Sequence, residues 1–397
     1  MYNRKAYELG SVRSVIRELF EYGKKRAAEM GADKVFDFSL GNPSVAPPAK
    51  VAEAIKEFVD TMEPVALHGY TSAQGDYGVR KAIADYINER FSTSVGADNI
   101  YMTCGAAAAL TITLNALVSA PGQEVVAAAP YFPEYKVFVE AAGAKFVAAP
   151  MREQDFSVDT DKLAELINAD TVAMILNSPN NPSGAVYPEE CLKEVAAVLK
   201  RKSEEYSHPI YIIADEPYRE LVYGDAKVGY IMNYYDDSVV CYSYSKSLSL
   251  PGERIGYVAV NPKACDADEV YLAVMGAGRA LGYVCAPSLM QYVVKKCLRE
   301  QPDLEAYKIN RDLLYNGLKE IGYDCVRPDG AFYLFVRVPG GDAAKFSECA
   351  KKYGILVVPG DGFGAPGYVR LAYCVARKTI ENSLPYFKEL YAETKTE

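Results

Sequence analysis

The sequence predicts an α/β protein: a large, mostly parallel sheet covered by helices on both faces, with a smaller α+β unit beside it. Three observations carry that expectation. Residues 124–129, 171–176, 210–215 and 239–243 are short runs of apolar, β-forming residues, the pattern of strands buried on both faces. Stretches of helical periodicity separate them, and that alternation builds parallel βαβ units. A chain of 397 residues is also too long for one simple core.

Taken in order, Val12, Val15, Ile16, Leu19 and Phe20 recur at helical spacing and predict an amphipathic helix over 11–30. Residues 35–40 read as a short strand closed by Gly41-Asn42-Pro43, and a helix follows over 49–60. Gly41 is either simply that turn or a place where a ligand approaches the backbone. Another helix covers 79–91. Residues 101–110 read as strand, small-residue turn and helix, with Gly105-Ala106-Ala107 opening the helix where its N–H groups can meet an anion. Strands at 124–129, 145–148, 171–176 and 210–215 alternate with helices. They end in Pro130-Tyr131-Phe132, Asn177 to Gly184, and Glu216-Pro217-Tyr218. After a strand at 255–260, a long helical stretch includes residues 275–282. Its glycines follow G-x-G-x-x-x-G with no suitable βαβ unit, which excludes a nicotinamide fingerprint. From 288 onward a long helix leads into the smaller unit, with strands at 330–336, 355–359 and 368–373.

Composition narrows the function. A net charge of −9 argues against a nucleic-acid partner, which would need clustered cations. No run of eighteen apolar residues offers a membrane span, and the first residues lack the apolar segment of a signal peptide. The nine scattered cysteines form no Cys-x-x-Cys pair and fit free thiols in a reducing compartment, so a cytoplasmic location is expected. His68 and His208 are too few for a histidine-based metal site.

The chemistry concentrates where apolar strands stop. Ligands of such sheets bind outside the carboxyl ends of the strands, and Tyr131, Asn181, Asp215, Tyr218 and Lys246 all stand just past those ends. Lys246 follows a buried strand and Ser243. Desolvation there lowers an amine's pKa and makes it a nucleophile toward aldehydes. Arg254, eight residues on, has the planar fork that suits phosphate. Alone, the stretch reads equally as a surface lysine and a salt-bridging arginine. Arg370 is a lone cation in an apolar strand, either functional or an edge-strand arginine with its head in solvent.

Ser243-x-x-Lys246 with Arg254, Asn181-Pro182-x-Gly184, Asp215-x-x-Tyr218 and Arg370 stand in one order over essentially the whole chain. Together they resemble the fold-type I, pyridoxal-phosphate (PLP)-dependent aminotransferases of class I and II, the aspartate aminotransferase family. The resemblance implies a large domain over 48–287, and a small domain from 1–47 with 288–397. It implies that Lys246 forms a Schiff base with the cofactor and shuttles the substrate's proton. Asp215 would pair with the pyridine nitrogen, while Tyr218 and Asn181 would bond the phenolic oxygen. Tyr131 would stack on the ring. Ser243, Arg254 and the Gly105-Ala106-Ala107 backbone would hold the phosphate, with Tyr70 reaching over from a second subunit of a homodimer. Arg370 would clamp the substrate carboxylate beside Gly41. The implied reaction passes an amino group from an L-amino acid (aspartate, aromatic or alanine-like) to a 2-oxo acid such as 2-oxoglutarate. Two departures stand out. The chain has no tryptophan where relatives stack one, and alanines replace hydroxyl side chains at the phosphate turn. Arg279 reads first as a structural or phosphate-side arginine, with a substrate's distal carboxylate as the alternative partner. A C–S β-lyase would use the same lysine. A non-catalytic PLP-binding regulatory domain would carry a basic DNA-binding module ahead of the fold, whereas this sequence starts almost at once with the first helix.

Overall fold

Strands apolar on both faces need cover on both sides, and here they form a central seven-stranded sheet. The computed structural model, which describes residues 1–11 and 15–395, gives its order. From one edge the strands are Ile100–Thr103, Gly256–Val260, Ser238–Ser243, Tyr211–Asp215, Thr171–Asn177, Glu124–Ala128 and Lys145–Ala149. Gly256–Val260 runs antiparallel to both neighbours, and the other pairings are parallel. Side chains alternate between faces. Val126, Met174, Ile212 and Val240 join one core with the helices Ala49–Thr61, Tyr77–Phe91 and Glu189–Tyr206. Val125, Ala173, Ile213 and Val239 join another with Ala106–Leu117 and Ala267–Ala280. The rejected glycine motif lies largely inside Ala267–Ala280. There a Cβ on Gly278 would collide with the Tyr101 hydroxyl, so the glycine permits close packing of helix on strand.

The smaller sheet is antiparallel, in the order Val358–Pro359, Tyr368–Ala372, Tyr333–Arg337, Asp324–Cys325. The N-terminal segment joins it. Phe36–Asp37 pairs in parallel with Ile355–Leu356, and Ala372 N–H donates to Phe38 O at 2.8 Å. Residues 39–41 are thereby brought beside the strand that carries Arg370.

Several expectations change. Of the helix expected over 11–30, the described residues show Val15–Met30, with Arg4–Ser11 helical as well, and Val12 lies outside the described residues. The strand at 35–40 shortens to Phe36–Asp37, and that at 355–359 splits in two. The long helix from 288 is two helices, Ser288–Lys296 and Leu304–Ile321, with Pro302 between them, where a ring without an N–H cannot continue helical bonding. The first of the pair packs through Met290 and Val293 into the core of the large sheet. Among the described residues no helix is long and apolar enough to cross a membrane.

Candidate active site

Register sets the site. Asn177 lies beside Asp215, and Asp215 beside Cys241, so the last residues of two strands stand side by side at one end of the sheet, two residues before Ser243 closes the third. At the end of Ser238–Ser243 the Ser243 hydroxyl accepts from Ser245 N–H at 3.1 Å and starts the single turn Tyr244–Ser247. That turn carries Lys246. Its Nζ donates to Gly41 O at 2.8 Å and lies 5.4 Å from the centre of the Phe332 ring. Burial lowers the amine from 10.5 to about 8, and Arg370 and Arg254 push the same way.

Asp215 is buried, and each of its oxygens has a separate fate. Oδ2 accepts from the Tyr135 hydroxyl at 2.5 Å, the backbone carbonyl accepts from Asn177 Nδ2 at 2.8 Å, and Oδ1 has no partner among the described residues. Burial raises the carboxyl from 3.8 to about 7. Tyr135 opposes that rise and Glu216 adds to it. An orphaned buried oxygen is costly and calls for a donor. Tyr218 stands three residues on, its hydroxyl 2.9 Å from that of Tyr333.

Arg370 is no edge-strand cation. It is only 2% exposed and pairs across strands with Phe335 and Val358. Nη1 donates to Asn181 Oδ1 at 3.0 Å and Nη2 to Ser39 O at 2.5 Å, while Nε has no partner among the described residues. Asn181 is held in turn by its N–H on Asn177 Oδ1 at 2.7 Å. At the other end Arg254 is exposed and adopts a left-handed φ of 51°. Its Nη1 reaches Ser245 Oγ at 3.5 Å and Pro251 O at 3.1 Å. Gly105, at φ 87°, opens the helix Ala106–Leu117, and a Cβ there would lie 2.6 Å from the guanidinium. Only glycine leaves the helix N-terminus and the arginine free to face one anion.

These groups share one cavity of about 360 Å³. Gly41, Ala106, Ala107, Asn181 and Asp215 line it, as do Tyr218, Ser243, Lys246, Arg254 and Arg370. Gly105 lies directly behind, against Arg254. One expected lining residue is elsewhere. Tyr131 is not a lining residue; its ring packs edge-on against Phe146 at 4.9 Å, and Phe132 faces the cavity instead. Neighbouring side chains leave the backbone in different directions, so only one of the two aromatics can point inward. Tyr70 is 90% exposed and outside the cavity. Arg279 is exposed on Ala267–Ala280 and does not line it either. Sequence reasoning missed Tyr135, Asn177, Ser245, Phe132 and Tyr333. Asn177 had a readable signal, a polar residue closing an apolar strand as Asp215 and Ser243 do. Nothing distinguished Tyr135 or Tyr333 among 32 tyrosines.

A buried amine, a carboxylate with one free oxygen and guanidinium groups at both ends suit a ligand with a carbonyl, a basic ring nitrogen and anionic groups. The family model described as aminotransferase class I and II matches residues 33–385. A probable aspartate aminotransferase of Methanocaldococcus jannaschii is 30% identical over 391 residues, covering 95% of this chain and 97% of that one. An aromatic-amino-acid aminotransferase of Thermococcus litoralis is 28% identical, covering 96% of each. A crystal structure of an aminotransferase from Eubacterium rectale superposes with a TM-score of 0.98 at 56% identity, covering 99% of each chain.

Proposed function

The chain belongs to the class I and II aminotransferases, and from that premise we propose how its residues divide the work. It is a PLP-dependent transaminating enzyme of fold type I, acting on amino acids and 2-oxo acids. The cavity fits that cofactor on an observation independent of kinship: the buried Oδ1 of Asp215 lacks a donor, and a protonated pyridine nitrogen is one. Bound there, PLP supplies an aldehyde that forms imines with amines and a ring that accepts electrons.

In this reading Lys246 is the covalent anchor. An amine lowered to about 8 is substantially neutral near pH 8 and so nucleophilic. Its Nζ would take the proton from the amino donor's Cα and deliver it on the cofactor side of the donor's nitrogen. Asp215 keeps the ring nitrogen protonated, Tyr218 and Asn181 bond the phenolic oxygen, and Phe132 takes the stacking position. Arg254, Ser243, Ser245 and the start of Ala106–Leu117 hold the phosphate. Arg370, with Gly41 beside it, takes the α-carboxylate. Donor and acceptor need the same clamp, so they bind in turn and the kinetics are ping-pong. Aspartate, aromatic or alanine-like L-amino acids are the proposed donors and a 2-oxo acid such as 2-oxoglutarate the acceptor; aspartate and aromatic amino acids appear in the names of relatives. We further propose a cytoplasmic homodimer in which Tyr70 serves the other subunit. Residues 48–287 form the large domain, and 1–47 with 288–397 the small one, with Ser288–Lys296 packed on the large core.

The observation that carries the reading is the convergence of Lys246, Asp215 and Arg370 on one cavity. The purified protein is expected to absorb in the visible with PLP, and the band to bleach with the preferred amino acid until a 2-oxo acid restores it. A colourless protein that takes up no PLP would contradict the assignment. Ammonia and pyruvate released without a 2-oxo acid acceptor would point instead to β-elimination. Lys246→Ala should still bind PLP but lose turnover; near-normal turnover there would remove the lysine from its role.

A further inference from the structure

Tyr333 touches three of the groups assigned above and has no part among them. Its hydroxyl lies 2.9 Å from that of Tyr218, and the Arg370 guanidinium sits 4.6 Å from its ring centre. A Cβ on Gly41 would collide with the same hydroxyl, so the backbone that receives Lys246 Nζ packs against it. Tyr333 is 2% exposed on the strand Tyr333–Arg337 and lines the cavity. The charged or titratable groups acting on it are Arg370, Cys374 and Tyr218.

A hydroxyl has one proton to donate. Tyr218 cannot give it both to Tyr333 and to a ligand. Resting on the reading of Tyr218 as donor to the cofactor's phenolic oxygen, we infer that Tyr333 is a positioning residue with two settings. Without cofactor it accepts from Tyr218. With cofactor bound it turns and donates to Tyr218, whose own proton then points at the ligand. No proton changes owner; two O–H bonds rotate. A hydroxyl that accepts one hydrogen bond donates a stronger one, so Tyr333 sharpens Tyr218 as a donor. Its ring meanwhile holds the Arg370 guanidinium from one face.

Tyr333→Phe removes only the hydroxyl and Tyr333→Leu removes the ring as well. Loss of the hydroxyl leaves the phenolic oxygen of bound PLP more basic and the proton near it harder to remove. The pH midpoint of the visible absorption change should therefore move upward in the Tyr333→Phe holoenzyme. The dissociation constant of PLP from that variant should rise about five-fold. Both changes should vanish when Tyr333→Phe is made in a Tyr218→Phe background, because Tyr333 acts through Tyr218. Tyr333→Leu should in addition raise KM for the amino donor. A Tyr333→Phe titration that superimposes on wild type overturns the inference, and so does an equal loss in the Tyr218→Phe background. A wild-type protein without a PLP band overturns the reading of the site itself, a distinguishable result.

Discussion

Asp215 is a poor place for a charge until something protonated meets Oδ1. Its carboxyl moves from 3.8 to about 7 on folding. Between those values the folded state keeps a proton that the unfolded state has released, so the group's contribution to stability falls as pH rises through that window. At higher pH the accumulated loss is roughly 4 kcal/mol. Apoprotein carrying Asp215→Asn should thus melt close to wild type at pH 4 and clearly above it at pH 8, as followed by thermal denaturation. Equal differences at both values would show that the carboxyl is not strained. Tyr135 is the counterweight, donating to Oδ2 at 2.5 Å. Tyr135→Phe should weaken PLP binding by about ten-fold or more, the scale of a hydrogen bond to a charged group, read from cofactor dissociation. An unchanged constant would make Tyr135 mere packing. Asp215 was legible in the sequence because an acid closing an apolar strand is conspicuous. Tyr135 was not, because a tyrosine on a helix looks the same whether it packs or donates.

At the scale of elements, strand ends and helix starts were readable from periodicity, and their functional consequence follows at Gly105. The residue combines φ 87° with a Cβ position 2.6 Å from the Arg254 guanidinium. Gly105→Ala adds backbone strain of about 1–3 kcal/mol and pushes the arginine off the helix N-terminus. PLP affinity should fall by roughly ten-fold or more, while pyridoxal without its phosphate should lose little; equal losses for both would refute a phosphate role. The pair Tyr131 and Phe132 marks the limit of such reading. Both are aromatic and both follow the same strand, and only packing against Phe146 decides which turns outward. The break at Pro302 and the shortening of the first strand are local departures that leave the cavity unchanged.

For the whole molecule, the open question is Tyr70, 90% exposed on the surface of one chain. If it completes the neighbour's site, Tyr70→Ala and Lys246→Ala chains should complement each other. A hybrid dimer contains one site with both native residues, so mixing should restore activity toward half of wild type per dimer. Hybrids no better than the Tyr70→Ala parent would exclude sharing. The sequence by itself determined the α/β class, the alternation of strand and helix, and the family, and through that resemblance it nominated Lys246, Asp215, Tyr218, Asn181, Arg254 and Arg370 as candidates. Those follow from short-range patterns: apolar runs, the polar residues that end them, and motif spacing. Only the tertiary structure decided that Arg370 is buried against Asn181 and Ser39 from distant parts of the chain. It alone decided that Phe132 faces the cavity, that Tyr135 holds one oxygen of Asp215, and that Tyr333 stands between Tyr218 and Arg370. Those contacts join residues 37 to 331 positions apart, and no local pattern encodes which side chains meet across such separations.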